Sequence, residues 1–105
     1  MTGTESHHIT LVNLVTVRPG ITQQAVLDSL RHNTETVIMT LKGWISTTLI
    51  ASCDGQRVVI HSQWDSAADV EAMRADPRMA AYFPNISELA AFDSMVGVDV
   101  LSHHR

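Results

Sequence analysis

The chain has 105 residues, of which 45% are hydrophobic and 17% charged, and its 11 acidic and 7 basic side chains give a net charge of −4. A chain of this length forms one domain, 1–105, around a single core, and its basic residues are too scattered to bind nucleic acid or an anionic membrane surface. Because Cys53 is the only cysteine and no apolar run approaches the roughly 18 residues of a membrane span, we expect a cytoplasmic protein with no internal disulfide and no membrane as a partner.

The N-terminal third predicts a strand followed by a helix. The run ITLVNLVTV, Ile9–Val17, is β-branched and apolar on both alternating faces, which is typical of a strand covered on both sides. After Pro19 breaks the strand, Thr22 is placed to cap a helix whose apolar residues recur at spacings of three and four as far as Leu41. We expect that helix to end at Gly43.

A β-hairpin is predicted in the middle of the chain. The second strand is Trp44–Ile50 and the third is Arg57–Trp64. Between them Asp54 is followed by Gly55, which is a strong signal for a two-residue turn.

A second helical region follows the hairpin. Ser66 is placed to cap it, with Asp69 in its first turn. We expect Pro77 to divide the helix before a second piece at Arg78–Phe83, and Pro84 to close that piece because proline cannot continue the hydrogen-bond ladder. The stretch PNISELAAFD that follows shows no regular period.

The C-terminal segment MVGVDVL, Met95–Leu101, alternates valine with other residues and predicts a last strand. The element order is therefore β-α-β-β-α-β. This order predicts an α+β fold, a ferredoxin-like sandwich whose four antiparallel strands lie in the order 4-1-3-2 with the helices on one face.

The other face of this sheet predicts a partner. Val12 and Leu14 alternate with Leu11 and Val15 along the first strand, so apolar side chains point away from the helices whichever set meets them. Pairing two sheets face to face would bury these side chains. We therefore expect a homodimer joined through its sheets.

Several stretches together resemble one protein family. NLVTV in the first strand, GW after the first helix, ASCDGQRVV at the hairpin, SQWDS and ADPR are similar to the antibiotic biosynthesis monooxygenase (ABM) family of dimeric α+β barrels, over nearly the whole chain. The most specific part is the combination of Asn13 with Trp64. The resemblance implies a monooxygenase that oxidises an aromatic polyketide-like anthrone to a quinone, with dioxygen as co-substrate and without metal, flavin or haem.

In such a reaction the substrate itself supplies the electrons. An anthrone that has lost a proton can reduce dioxygen, so the protein needs only a dry aromatic-lined pocket and hydrogen-bond donors for the enolate and peroxide oxygens. We predict catalytic roles for the amide of Asn13 and for the indole N–H and flat apolar ring of Trp64. The alternatives are a tryptophan that only closes the core and an asparagine that only bonds a neighbouring strand or helix end.

Substrate contacts are predicted at four further positions. Alternation places Ile60 and Ser62 on the tryptophan face of the third strand, and directs His61 toward the dimer face. The family resemblance implies an Asn four residues before the Trp and, in some members, a Tyr six residues after it, and these positions hold Ile60 and Val70. Tyr82 is the candidate for a replacement hydroxyl group.

These apolar replacements keep other functions open. A non-catalytic small-ligand-binding dimer, or a cyclase or isomerase on the same fold, would retain the pocket without the polar pair. Haem breakdown is disfavoured, because the resemblance implies a second Trp and a His on the second helix, and neither occurs between Trp64 and His103. The histidine pairs 7–8 and 103–104 should lie near each other but have no carboxylate to orient them, so we predict no native metal site there.

Overall fold

A computed structural model describes residues 8–105, in which the elements follow the predicted order and the second helical region is split in two. The strands are β1 (Ile9–Val17), β2 (Trp44–Ala51), β3 (Arg57–Trp64) and β4 (Ala90–Gly97). The helices are α1 (Gln23–Thr36), α2 (Ala67–Ala75) and α3 (Pro77–Ser87), with a 3₁₀ turn, Ile38–Thr40, between α1 and β2.

The strands form one antiparallel sheet in the order β2-β3-β1-β4, which confirms the predicted 4-1-3-2 arrangement. Val15 of β1 pairs with Val58 of β3 and with Phe92 of β4. The same face of the sheet packs against Val26 of α1 and Ile86 of α3, so the helices cover one face and leave the other open. The α+β ferredoxin-like sandwich is therefore confirmed.

Two adjoining clusters form the core between the helices and the sheet. The first contains Val26 and Val58, and the second contains Trp64, Val70 and Met73. Trp64 is only 1% exposed. Burying a side chain of this size stabilises the fold by about 5 kcal/mol relative to leaving it in water, so the tryptophan is a structural residue whatever else it does.

The predicted helix caps are present. Thr22 Oγ1 accepts a hydrogen bond from the backbone N–H of Ala25 at 3.1 Å. Ser66 Oγ accepts from the N–H of Asp69 at 3.1 Å and donates to the Asp69 carboxylate at 2.9 Å. Pro77 occupies the first position of α3, where its missing N–H costs nothing.

β1 and β3 have their predicted bounds, and β2 is one residue longer.

α1 is shorter than predicted. It ends at Thr36, and Val37 leaves the helical region with φ −122° and ψ −62°. The hydroxyl groups of Thr34 and Thr36 donate to the carbonyls of Leu30 and His32, both at 2.8 Å. β-branched residues that bond back to the preceding turn weaken a helix end, so the predicted end at Gly43 was wrong.

The turn between β2 and β3 is longer than the predicted two residues. Ser52 and Arg57 close the hairpin, because the N–H of Ser52 donates to the Arg57 carbonyl at 2.9 Å. Four residues, 53–56, lie between them. Asp54 accepts hydrogen bonds from the Ser52 hydroxyl at 2.6 Å and from the N–H of Gln56 at 2.9 Å. The aspartate thus stabilises a wider loop than its pairing with glycine predicts, and these bonds lower the pKa of Asp54.

The predicted closure of the last helix at Pro84 was wrong, because α3 continues through that residue to Ser87. A proline inside a helix costs about 3 kcal/mol. Ile86, in the following turn, is 1% exposed and packs into the first core cluster. Burial of an isoleucine recovers most of that cost, so tertiary packing outweighs the local effect of proline.

The last strand begins and ends earlier than predicted, at Ala90–Gly97 instead of Met95–Leu101. Ala90 is completely buried, which places the strand start in the core. The pairing of β4 with β1 extends to Thr10–Gly97, and β1 itself begins at Ile9. Val98 and Val100, beyond Gly97, lie outside the strand and are 59% and 91% exposed, so their alternation does not continue β4.

No helix within residues 8–105 is long and apolar enough to cross a membrane. Of the terminal histidines, His7 lies outside the described residues, and His8, His103 and His104 are exposed. In the described part of the chain no three His, Cys, Asp or Glu side chains come together as metal ligands would.

Candidate active site

A cavity of about 470 Å³ lies between the helix-covered face of the sheet and the helices. This volume is in the range of small-molecule sites. Apolar side chains make up most of the wall, and a few amide and hydroxyl groups interrupt it. The lining residues that bear on function are Asn13, Ile60, Ser62, Trp64 and Ser94 from the sheet and Asn33, Met79 and Tyr82 from the helices.

Asn13 lies in a row of cross-strand neighbours on the cavity floor. It pairs with Ile60 of β3 on one side and with Ser94 of β4 on the other. The Ser94 hydroxyl donates to Asn13 Oδ1, which occupies the carboxamide oxygen and fixes the orientation of the amide. No acceptor among residues 8–105 takes the Nδ2 hydrogens, so the NH₂ group is available to donate to a ligand.

Trp64 forms another part of the cavity wall, and its N–H is already paired. Nε1 donates to Ser62 Oγ at 3.1 Å, and Ser62 Oγ donates to the backbone carbonyl of Leu11 at 3.4 Å. A hydroxyl group has one proton and two lone pairs, so Ser62 keeps one lone pair that these bonds do not use. Trp64 therefore contributes its ring to the cavity wall and fixes the orientation of Ser62. Its own N–H is bonded to Ser62 and is not a free donor for a ligand.

Tyr82 lines the cavity from α3 and is half-buried. Its hydroxyl group lies 2.9 Å from Ser29 Oγ of α1, a hydrogen bond that either side chain can donate. Burial raises the pKa of Tyr82, and the bond to Ser29 partly opposes that rise. The phenol is therefore neutral at neutral pH and is tied to α1.

The remaining predicted positions fall in three different places. Ile60 lies on the cavity floor beside Asn13. Val70 is completely buried in the second core cluster and does not line the cavity, because Trp64 and Met73 pack around it. His61 points to the open face of the sheet, as alternation predicts. The structure thus brings Asn13, Ile60, Ser62, Trp64 and Tyr82 to one cavity and leaves Val70 outside it.

Among the polar cavity residues that were not predicted from sequence, Asn33 and Ser94 bear most directly on the site. Asn33 is on the buried face of α1, seven residues after Val26 and three after Leu30. An asparagine at that spacing is a sequence signal for an amide on the buried face of the helix. Ser94 had no comparable signal, because its role depends on the register between β4 and β1.

The chemistry available in the cavity is hydrogen bonding in an apolar setting. Among the described residues that line it, the titratable side chains are Arg74 and Tyr82, and none is a carboxylate, imidazole or thiol. Arg74 is paired with Glu71 at 2.8 Å at the protein surface. The site is thus suited to holding a flat apolar ligand and bonding its oxygen atoms, and it has no conventional general base.

Comparison with known proteins identifies relatives over most of the chain. Residues 8–85 match the antibiotic biosynthesis monooxygenase family. The chain is 43% identical over 74 residues to tetracenomycin-F1 monooxygenase from Streptomyces glaucescens. That alignment covers 70% of this chain and spans 65% of the length of the curated relative.

Solved structures show the same fold. SnoaB from Streptomyces nogalater, described as a cofactor-independent oxygenase, superposes with a TM-score of 0.81 at 16% identity, covering 90% of this chain and 95% of that one. Rv0793 from Mycobacterium tuberculosis superposes with a TM-score of 0.75 at 19% identity, covering 92% of this chain and 99% of that one. At these identities the likeness concerns the fold alone.

Proposed function

The chain belongs to the antibiotic biosynthesis monooxygenase family, and we propose that it is a cofactor-independent monooxygenase that oxidises an aromatic polyketide-like anthrone to a quinone with dioxygen. The observation that carries the proposal is the cavity of about 470 Å³, whose mostly apolar wall presents the Asn13 amide and has no carboxylate, imidazole or thiol among its described lining residues. Such a site matches a reaction in which the substrate supplies the electrons and the protein supplies orientation and hydrogen bonds.

The reaction balances with dioxygen as the sole oxidant. The anthrone CH₂ group loses a proton to water, and the resulting enolate transfers one electron to dioxygen. The carbon radical and superoxide combine into a C–O bond, and the peroxide takes up a proton. Loss of the second C–H proton, together with cleavage of the O–O bond, gives the quinone carbonyl and water. Overall, CH₂ and O₂ become C=O and H₂O.

Asn13 is the proposed hydrogen-bond donor in these steps. Its NH₂ group lies on the cavity floor and its oxygen is held by Ser94, so the donor is oriented before a ligand binds. A fixed donor in an apolar cavity stabilises a developing oxyanion more than water does. The ring of Trp64 supplies a flat wall against which an aromatic substrate packs.

The proposed assembly is a homodimer joined through the open face of the sheet. That face carries Leu14, Ile50 and Met95, which are 38%, 53% and 61% exposed in the single chain. Exposed apolar side chains on one face support an interface with a second copy.

Oxygen uptake with a tricyclic anthrone tests the proposed activity. We expect the wild type to consume dioxygen faster than the spontaneous reaction, to form the quinone, and to keep its rate after treatment with a metal chelator. Asn13→Ala should lower kcat by about 100-fold, because one oxyanion donor is lost. The matched control is Asn85→Ala, an exposed asparagine of α3, which should leave the rate unchanged. Uptake at the spontaneous rate, or a rate abolished by the chelator, would contradict the proposal.

A second candidate function is a non-catalytic ligand-binding dimer. The observation in its favour is Ile60, which occupies the floor position directly beside Asn13 where the family resemblance implies a second amide. An anthrone that binds in the cavity without accelerated oxygen uptake would support this alternative over the monooxygenase.

A further inference from the structure

Asn33 is a buried amide on the helix side of the cavity. It is 7% exposed, and it occupies the face of α1 that also carries Val26 and Leu30. It lines the cavity opposite the sheet, so a ligand that fills the space contacts Asn13 below and Asn33 above.

The Asn33 carboxamide has one occupied end and one open end. Nδ2 donates to the thioether sulfur of Met79 at 3.4 Å. Within residues 8–105 its Oδ1 accepts no hydrogen bond, and no fully enclosed side-chain nitrogen or oxygen in that range lacks a partner. The oxygen of Asn33 is therefore not fully enclosed, and the cavity is the space that this residue lines.

Met79 determines which end of the amide faces the ligand. A thioether sulfur is a weak acceptor and cannot donate. If the amide turned over, Oδ1 would face the sulfur, two acceptors would meet and the hydrogen bond would be lost. The contact with Met79 thus keeps the nitrogen on the sulfur and the oxygen toward the cavity.

An acceptor in this position selects for a donor. A ligand that fills the cavity displaces water from Asn33 Oδ1, and a ligand without a donor leaves that oxygen unpaired. Sites built to bond a hydroxyl group reject analogues that lack it. On an aromatic polycycle, the matching donor is a phenolic hydroxyl group.

We propose that Asn33 is a specificity-determining residue whose carboxamide oxygen accepts a hydrogen bond from a phenolic hydroxyl group of the substrate, so that the cavity prefers hydroxylated aromatic polycycles. The inference rests on the proposed function for the class of ligand, and it adds the substituent that the site recognises. Asn13 bonds the oxygen at the reacting end, and Asn33 bonds a hydroxyl group elsewhere on the ring system.

Binding of product-like quinones tests this without requiring turnover. The dissociation constants of 2-hydroxyanthraquinone and 2-methoxyanthraquinone are measured by quenching of tryptophan fluorescence, in mildly acidic buffer that keeps the phenol protonated. We expect Asn33→Leu to reduce the preference for the hydroxy over the methoxy compound by about tenfold, which corresponds to the loss of one hydrogen bond. The change should come from weaker binding of the hydroxy compound.

Two further variants separate recognition from a general effect on the fold. Met79→Leu conserves volume but frees the amide to turn, so the preference should fall part of the way. Thr34→Val is the matched control, because Thr34 lines the same wall and its hydroxyl is already donated to the Leu30 carbonyl at 2.8 Å. This control should keep the wild-type preference. If Asn33→Leu does not fold, Asn33→Ala and Met79→Leu decide the question.

An unchanged preference in Asn33→Leu, an equal loss in Thr34→Val, or no binding of either quinone to the wild type would overturn the proposal. Selective binding without accelerated oxygen uptake would instead contradict the monooxygenase and leave the role of Asn33 intact. Oxygen uptake without any preference for a hydroxyl group would contradict only the role of Asn33.

Discussion

Trp64 combines a core position with a place in the cavity wall. Its ring is almost completely buried against Val70 and Met73, and its N–H holds the hydroxyl group of Ser62. A change at this residue therefore affects folding and function together, and only a matched pair of variants separates the two. Trp44 provides the match, because its N–H also donates to a hydroxyl group, that of Thr47 at 2.9 Å, while its side chain packs on the core outside the cavity.

We expect Trp64→Phe to lower the stability by about 1–2 kcal/mol through imperfect filling, and to lower kcat with an anthrone by about tenfold, since Ser62 loses the bond that orients it and the wall recedes. Trp44→Phe should cost a similar amount of stability or less and leave kcat per folded protein unchanged. Thermal unfolding and oxygen uptake on the same samples provide both quantities. Equal kcat values for Trp64→Phe and the wild type would show that Trp64 acts only in the core.

Sequence predicts which way the side chains of the site point better than it predicts their hydrogen-bond partners. Alternation along a strand has a fixed period of two, so it placed Ile60 and Ser62 on the same face of β3 as Trp64, and all three line the cavity. Asn13 was singled out by the family resemblance instead. Hydrogen-bond partners have no such period. Ser94 reaches Asn13 only through the register of β4 on β1, and Asn33 meets Met79 only because α1 packs against α3. Such contacts between distant segments cannot be read from local pattern.

At the level of elements, the junction before β2 depends on a glycine in close contact with α2. Gly43 has φ +83°, and a Cβ added there would overlap the carboxylate of Asp69. Asp69 cannot move freely, because it accepts the hydroxyl of the cap Ser66 at 2.9 Å. The carbonyl of Gly43 also accepts from the N–H of Asp65 at 2.8 Å. Through these two contacts Gly43 holds the residues just before β2 against the N-terminal end of α2.

Gly43→Ala should lower the free energy of unfolding by about 2–4 kcal/mol, from the positive φ and the overlap with Asp69 together. Gly20→Ala is the control, since Gly20 has the same φ of +83° and nothing within 4 Å of the added Cβ. That variant should lose about 1–2 kcal/mol from the backbone term alone. Urea unfolding monitored by circular dichroism measures both. Equal losses would show that Asp69 adapts to the new methyl group without cost.

The elements that sequence predicted well are those whose local signals agree with their packing. β1 and β3 combine β-branched runs with clear ends, and both helix caps follow from a single side chain. The elements that it missed are those where distant packing outweighs a local signal. Burial of Ile86 carries α3 past Pro84. The burial of Ala90 in the core places β4 at Ala90–Gly97, earlier than the alternation of its valines indicates.

At the scale of the whole molecule, the open face of the sheet leaves apolar side chains, among them Leu14, Ile50 and Met95, uncovered in a single chain. Leu14 pairs with Val59 on β3, and Val59 pairs with Ile50 on β2, which makes an apolar row across three strands. In the next row His61 lies between Val12 and Thr48. A row of this kind facing water is unfavourable, and a second copy related by a two-fold axis would cover it with the same row.

The proposed dimer predicts that a charge in this row separates the subunits. Wild type should sediment at twice 11.5 kDa at micromolar concentration. Leu14→Lys should sediment as a species of 11.5 kDa, because removing an ammonium group from water at the centre of the interface costs more than an ion pair with its cross-strand neighbour Asp93 returns. Met39→Lys is the control: Met39 is 48% exposed in the 3₁₀ turn on the helix side, so the same gain of charge there should leave the dimer intact.

A wild type that sediments as a monomer would contradict the proposed assembly, and a Leu14→Lys variant that remains dimeric would place the interface on another surface. Since the cavity opens on the opposite side of the sheet, a folded monomeric variant would also show by its oxygen uptake whether one subunit suffices for the reaction.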